Sequence, residues 1–312
     1  MEKIKYNTRE IVLGGSALLC FVLLFIGGPG PYSARTFTHI WELGHLFSFA
    51  LWTYLYLRWR NAPHTVWLVT EVLLFALVAG AATELLQSVL GREASWQDLG
   101  GDLLGSFLIL FFSPLLKEQV PLRFLLALRI FVLLLVVWVA TPLVKVAADD
   151  LVARQQFPLL SGFETSLEVS RWGGPCLRQL DSTQVYSGTT ALRVDLDTRR
   201  YAGLALKHFP ADWSGFRLLR FHIYNPRTVP FQFFFRIHDQ QHKESDNRYS
   251  DRYNTSFTVD PGWTALEVDL SQVAMAPKGR RLDLSKVAGM NIFVAKLPEP
   301  FSFYLDEVLL VR

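Results

Sequence analysis

Between Ile11 and Val144 the chain is a succession of apolar runs, each approaching the length that crosses a bilayer. The runs are Ile11 to Ile26, His39 to Leu57, Val66 to Leu90, Asp98 to Leu116 and Phe124 to Val144. A bilayer core needs about 20 apolar residues of helix, and lipid admits only helices or closed barrels. Five such runs predict a polytopic α-helical membrane domain. The first run follows Lys3, Lys5 and Arg9, as a leader would, with Ser33-Ala34 near a cleavage position. Its length and the Gly-Pro-Gly-Pro after it favour a retained helix.

After about Ala147 the pattern changes. Charges are spread through short alternating segments rich in β-branched and aromatic residues. Segments such as Thr190–Leu196, Leu218–Tyr224, Phe231–His238, Ala265–Asp269, Gly289–Val294 and Phe301–Val311 read as strands, as do Gln184–Tyr186, Gly203–Phe209 and Thr255–Val259. With turn signals at Ser187-Gly188 and Pro261-Gly262, they predict an all-β antiparallel C-terminal sandwich. The expected division is 1–147, transmembrane, and 148–312, extracytoplasmic.

Sidedness follows from Lys and Arg. The N-terminus, the Arg58–His64 connection and the Lys117–Arg123 connection are basic, whereas Gly27–Thr38 and Gly91–Gln97 carry one Arg each. The positive-inside rule places the N-terminus in the cytoplasm of a plasma (inner) membrane protein, and five spans then place everything after about Asp149 outside. Cys20 and Cys176 fall on opposite sides of this boundary, so no disulfide is expected. The net charge of +3, with no basic tract, zinc spacing or phosphate loop, gives no reason to expect a nucleic-acid partner.

Polar residues inside the apolar runs are the candidate site. Glu84 and Gln87 lie near the end of the third run, Asp98 and Asp102 open the fourth, and Arg92 and Ser95 lie between. The i, i+3 and i, i+4 spacings put each pair on one helix face. His39, Glu42 and His45 begin the second run. At 1.5 Å per residue, His45 and Glu84 each lie about 9 Å below the outer surface, so the whole set shares the outer leaflet. Glu71 is alone on the inner side, as an interface residue or a helix partner for Arg129.

An intramembrane polar group costs several kcal/mol without a partner. One reading is a hydrogen-bonded network that pins helices, with Arg92 paired to Asp98 or Glu84. The other is a pocket. There, neighbouring carboxylates and a histidine suit acid/base work or proton relay, with His45, Glu84, Arg92, Asp98 and Asp102 as candidate catalytic groups. Arg92 could hold a phosphate or carboxylate, with Glu42, Gln87 and Ser95 as further ligand contacts. His45, Glu84 and Asp98 are metal-ligand types, but no two have a known ligand spacing. In the C-terminal half, His238, Asp239, Tyr249, Arg252 and Tyr253 mix aromatic faces with hydrogen-bonding groups, as sugar recognition needs. The alternative is a solvated loop. Glu164, Asp306 and Glu307 are oxygen donors that could hold a structural calcium or be ordinary surface carboxylates, and no other cofactor is expected.

The membrane half resembles the VanZ-like family over roughly residues 10 to 116. The resemblance is carried by Gly44-His45, Glu84-x-x-Gln87, Arg92, Ser95, Asp98 and Gly105. Glu42 and Asp102 stand where that family often has lysine and asparagine. The resemblance implies a cell-envelope role, and the family is associated with glycopeptide (teicoplanin) resistance. The C-terminal half resembles galactose-binding-like jelly rolls of the carbohydrate-binding-module type. Phe163-Glu164, Trp213-Ser214-Gly215, Arg236-Ile237-His238-Asp239 and Phe303-Tyr304-Leu305-Asp306-Glu307-Val308 carry that likeness.

The expected function is therefore a membrane protein that engages an envelope glycan or a lipid-linked precursor, with membrane lipid around it. An enzyme acting on an envelope lipid or glycan phosphate is the alternative. A transporter is a weaker fit, because only Glu71 and Arg129 lie inward.

Overall fold

The computed structural model describes residues 8–26, 28–30, 32–60, 64–90 and 95–312. The chain divides into two compact units, Met1–Val144 and Lys145–Arg312.

The first unit is helical. Its helices are α1 (Thr8–Phe25), α2 (Arg35–Glu42), α3 (Gly44–Arg58), α4 (Thr65–Val89), α5 (Trp96–Phe112) and α6 (Pro114–Lys117), followed by α7 (Leu122–Gln156), in which the unit boundary falls. Three of these, α1, α4 and α7, are long and apolar enough to cross a membrane. The second and fourth expected spans are instead broken helices. The second divides at Leu43, leaving 15 residues in α3. The fourth ends at Ser113, leaving 17 residues in α5. Ser113 takes extended backbone and its hydroxyl accepts from Leu115 N at 3.2 Å, with Pro114 opening α6. Proline suits a first helical position because it has no N–H to satisfy there.

Small residues seat α5 on α3. A Cβ on Gly105 would lie 2.2 Å from the Leu46 carbonyl oxygen and 3.0 Å from Ala50 N. One turn earlier, Gly101 faces the His45 Cβ, and one residue on, Ser106 Oγ accepts from Thr53 Oγ1 at 3.0 Å. Close backbone approach between small residues is how apolar helices associate where water supplies no drive. Glu71 does not pair with Arg129. It accepts from Tyr56 OH at 2.7 Å and from the Arg60 guanidinium, while Arg129 Nε donates to the Phe111 carbonyl at 2.9 Å.

The second unit is an antiparallel sandwich. Its strands are β1 (Leu159–Ser161), β2 (Trp172–Gly173), β3 (Leu177–Asp181), β4 (Ala191–Leu196), β5 (Tyr201–Leu206), β6 (Leu218–Asn225), β7 (Phe231–Asp239), β8 (Tyr253–Val259), β9 (Gly262–Asp269), β10 (Val287–Ala295) and β11 (Phe301–Val311). One sheet runs β3-β4-β11-β6-β9, with β1 also on β11. The other runs β2-β5-β10-β7-β8. All the expected strands are present except Gln184–Tyr186, which lies in the β3–β4 connection.

The inner faces interdigitate. Leu192, Val194, Phe221, Ile223, Phe233, Phe235, Ile292, Phe303 and Leu305 are buried, and Phe221 stacks on Phe235 at 5.3 Å. Arg171 and Asp149 are buried together: the guanidinium donates to the carboxylate at 2.9 Å and to the Leu160 carbonyl at 2.8 Å. Removing one member of such a pair leaves an uncompensated buried charge, at a cost of about 3–5 kcal/mol. Cys20 and Cys176 are both free.

Candidate functional site

In the helical unit, three helices bring four of the predicted side chains around one imidazole. His45 comes from the first turn of α3, Glu84 and Gln87 from the last turns of α4, and Asp98 and Asp102 from the first two turns of α5. Asp102 Oδ1 lies 2.9 Å from His45 Nδ1. Glu84 Oε1 and Asp98 Oδ2 each lie 3.8 Å from His45 Nε2. Gln87 Nε2 donates to the Leu24 carbonyl at 2.8 Å and lies 3.3 Å from the same Nε2. His45, Glu84, Gln87 and Asp102 are buried, and Asp98 is half-buried.

Local structure explains the convergence. Ser95 caps α5 through its hydroxyl, which accepts from Gln97 N and Asp98 N, and this fixes where Asp98 and Asp102 enter. The Ser95 N–H donates to Glu84 Oε2 at 2.7 Å and turns the other oxygen inward. Gly80 leaves room for Asp102: a Cβ there would lie 2.5 Å from Asp102 Oδ2. One predicted member falls elsewhere. Glu42 bonds His39 at 2.7 Å on the exposed side of α2, outside the cluster. Arg92 lies outside the described residues. Gly80 and the Gly101-x-x-x-Gly105 spacing were missed as site-formers, although the small-residue spacing itself is visible in the sequence.

In the sandwich, the outward face of the five-stranded sheet carries a second constellation. Register places Gly203, Phe293, Phe234 and Ser256 in one row across β5, β10, β7 and β8. The next row holds Ala205, Asn291, Arg236 and Asn254. Phe234 stacks on Phe293 at 5.5 Å, and Tyr201 meets Phe293 edge-on at 6.3 Å. Tyr201 and Phe234 remain 53% and 44% exposed, which is costly for aromatic rings without a partner. Gly203 and Ala205 keep the β5 side low.

Polar groups frame this aromatic strip. Arg236 Nε donates to Asn291 Oδ1 at 2.8 Å, and its guanidinium lies 6.0 Å from the Phe293 ring. Arg252 Nε donates to Asn254 Oδ1 at 2.9 Å and lies over the exposed Tyr249 ring. Gln232 Nε2 donates to Ser256 Oγ at 3.1 Å. Among the described residues neither Arg236 nor Arg252 has a carboxylate partner. Burial, and then the charge of Arg252, lower the Arg236 pKa from its ordinary value. His238 lies against Gly289 on the same face. Burial first, then the two arginines and His242, hold its pKa at about 4, so it is neutral at pH 7.

The predicted sugar residues thus divide by strand alternation. His238, Tyr249 and Arg252 belong to this face. Tyr253 turns inward and packs against the core. Asp239 is buried and held by Arg280 at 2.6 Å, and Arg280 also binds Asp251 at 2.6 Å. That pairing is structural: it clamps the connection from β7 to β8. Phe234, Phe293, Tyr201 and Asn291 went unremarked, although period-two alternation in β7 and β10 marks the first two as outward.

Glu164, Asp306 and Glu307 are engaged by the protein itself. Glu164 accepts from Thr189 N and from the Thr189 hydroxyl, which lowers its pKa. Asp306 accepts from the Tyr186, Ser187 and Glu307 amides. Glu307 Oε2 lies 3.3 Å from His222 Nδ1.

No protein-family model matches the chain, and no curated protein matches it. Among solved structures, the C-terminal half is similar to the family 11 carbohydrate-binding module from Clostridium thermocellum in complex with a β-1,3-1,4-mixed-linked tetrasaccharide. Identity is 18%, covering 49% of this chain and 94% of that one, with a TM-score of 0.38. An exo-β-agarase is similar at 19% identity, covering 49% of this chain and 24% of that one, with a TM-score of 0.39. The C-terminal family 22 carbohydrate-binding module of Xyn10B from Clostridium thermocellum follows at 18% identity, covering 48% and 90%, with a TM-score of 0.32.

Proposed function

We propose that this is a membrane-anchored glycan-binding protein of the cell envelope, and that its sandwich takes an anionic glycan on the outward face of the β2-β5-β10-β7-β8 sheet. The observation that carries the reading is the Tyr201–Phe293–Phe234 strip, with Tyr201 and Phe234 exposed, beside two guanidiniums that have no carboxylate partner among the described residues. Sugar C–H faces stack on aromatic rings, hydroxyls bond amides such as Asn291 and Gln232, and a carboxylate, sulfate or phosphate pairs with Arg236 and Arg252.

The helical unit is the anchor. Alongside α1, α4 and α7, the pairs α2–α3 and α5–α6 cover Arg35–Arg58 and Trp96–Lys117, each about the residue count that a bilayer needs. Five crossings with a cytoplasmic N-terminus put the sandwich outside, where envelope glycans are. The polar cluster around His45 then lies in the outer leaflet, within reach of a lipid-linked precursor.

A glycan array probed with the detergent-purified full chain tests this reading. Acidic polysaccharides should be bound and neutral ones bound less, with the signal lost in Phe234→Ala. An array with no bound glycan overturns it.

A further inference from the structure

We propose that His45, Glu84 and Asp98 form a site for a divalent transition-metal ion of the zinc class, with Asp102 as the carboxylate that orients the imidazole. The proposal concerns the helical unit and is independent of the glycan face.

The donor set is complete in kind. One imidazole nitrogen and two carboxylate oxygens, from three different helices, lie within 4.8 Å of one another. His45 Nε2 is 3.8 Å from both oxygens. Tetrahedral zinc with ligands at about 2.0–2.1 Å separates them by roughly 3.4 Å, so His45 Nε2 and each oxygen would close by about 0.4 Å, and the two oxygens, within 4.8 Å of each other, by up to about 1.4 Å.

The second carboxylate pattern points the same way. An ionised Asp102 can only accept, so its 2.9 Å bond places the proton on His45 Nδ1. The Nε2 lone pair then faces Glu84 and Asp98, with the Gln87 amide 3.3 Å away as the donor that an ion would displace. A carboxylate behind a histidine is the usual outer support of a metal-bound imidazole: it sets the tautomer and raises ligand basicity.

Glu84 supplies an independent sign. It is 8% exposed, and among the described residues its Oε1 has no hydrogen-bond partner. Its other oxygen is held by Ser95 N–H, which aims Oε1 at His45 Nε2. A buried carboxylate oxygen without a donor is costly, whereas a cation there satisfies it. Among the described residues the ion-pair partner of Glu84, Asp98 and Asp102 is His45 alone. Among the described residues, three carboxylates around one imidazole are an excess of negative charge that a dication would neutralise. A nitrogen donor beside two oxygens suits zinc, manganese or iron better than calcium or magnesium. Asp98 keeps 20% of its side chain exposed, so the ion has a route in and a side on which water or a substrate oxygen can bind.

The test is metal uptake by the detergent-purified full chain, stripped with chelator and titrated with Zn²⁺, and with Co²⁺ for its visible ligand-field absorption. Wild type should take up one ion per chain. Asp98→Asn and His45→Ala should weaken binding at least tenfold while helicity by circular dichroism is unchanged. Asp102→Asn should keep the stoichiometry and weaken affinity by about 10–100-fold. Glu42→Gln, a carboxylate outside the cluster, should bind like wild type. The proposal is overturned if folded wild type holds only substoichiometric, adventitious ion. It is equally overturned if Asp98→Asn binds like wild type, or if Glu42→Gln loses the ion. Should His45→Ala fail to fold, the Asp98→Asn result and the wild-type Co²⁺ spectrum decide.

Discussion

His238 shows what one side chain on the sandwich face contributes. Its native pKa of about 4 lies below the ordinary 6.5 because burial and nearby guanidiniums oppose its charge. Between those two values the unfolded chain binds the proton and the folded chain does not. Stability therefore falls as pH drops from about 6.5 to about 4 and is flat below, by up to about 3 kcal/mol in all. Thermal melts at pH 7 and pH 4.5, followed by tryptophan fluorescence, should show a smaller acid-induced loss in His238→Gln than in wild type. Equal losses would mean that His238 titrates normally. On the same face Phe234 offers a test of binding rather than stability. Its ring is 44% exposed, so Phe234→Ala should leave the fold intact and weaken glycan binding by about 2 kcal/mol, or roughly 30-fold.

At the scale of elements, the packing of α5 on α3 sets the geometry around His45. A Cβ on Gly105 would lie 2.2 Å from backbone, whereas one on Gly100, five residues earlier on the same helix, would meet nothing within 4 Å. Gly105→Ala should lower thermal stability in detergent by about 1–3 kcal/mol. Gly100→Ala should be neutral or slightly stabilising, since alanine is the better helix former by about 1 kcal/mol. A reversal of that order would contradict the packing described. The strands were largely legible in the sequence because alternation and β-branching report directly on a half-buried pleat. The short strands β1, β2 and β3 were not, since two or three residues carry no period, and β3 lies at a sheet edge with mixed exposure. Strand faces were partly legible: Tyr253 and Asp239 were grouped with the binding residues, although alternation turns them inward. The breaks at Leu43 and Ser113 escaped the span count because hydropathy averages across a single capping residue. The grouping of His45 with Asp102, 57 residues apart, was legible only as a shared leaflet. Their 2.9 Å contact depends on Gly80 and Gly105, whose role is to be small.

At the scale of the molecule, the two units differ in surface. The helical unit leaves Leu85, Val89, Trp138 and many other large apolar side chains exposed, and three of its helices are long and apolar enough to cross a membrane. The sandwich has its own closed core, with the Tyr201–Phe293–Phe234 strip on the outward face of one sheet. With the sandwich outside, Asn247→Cys in a cysteine-free background should react with a membrane-impermeant maleimide on intact cells. Reaction only after permeabilisation would place the glycan face in the cytoplasm and remove its ligand.

The proposal that the aromatic and guanidinium face binds an anionic glycan is tested most directly by calorimetric titration of the full chain in detergent with polygalacturonate. Binding should weaken as salt is raised from 50 to 300 mM, because pairing with half-buried guanidiniums at the surface is partly screened. It should fall at least tenfold in both Phe234→Ala and Arg236→Gln. Binding that is absent in wild type, or that survives both substitutions unchanged, would contradict the account.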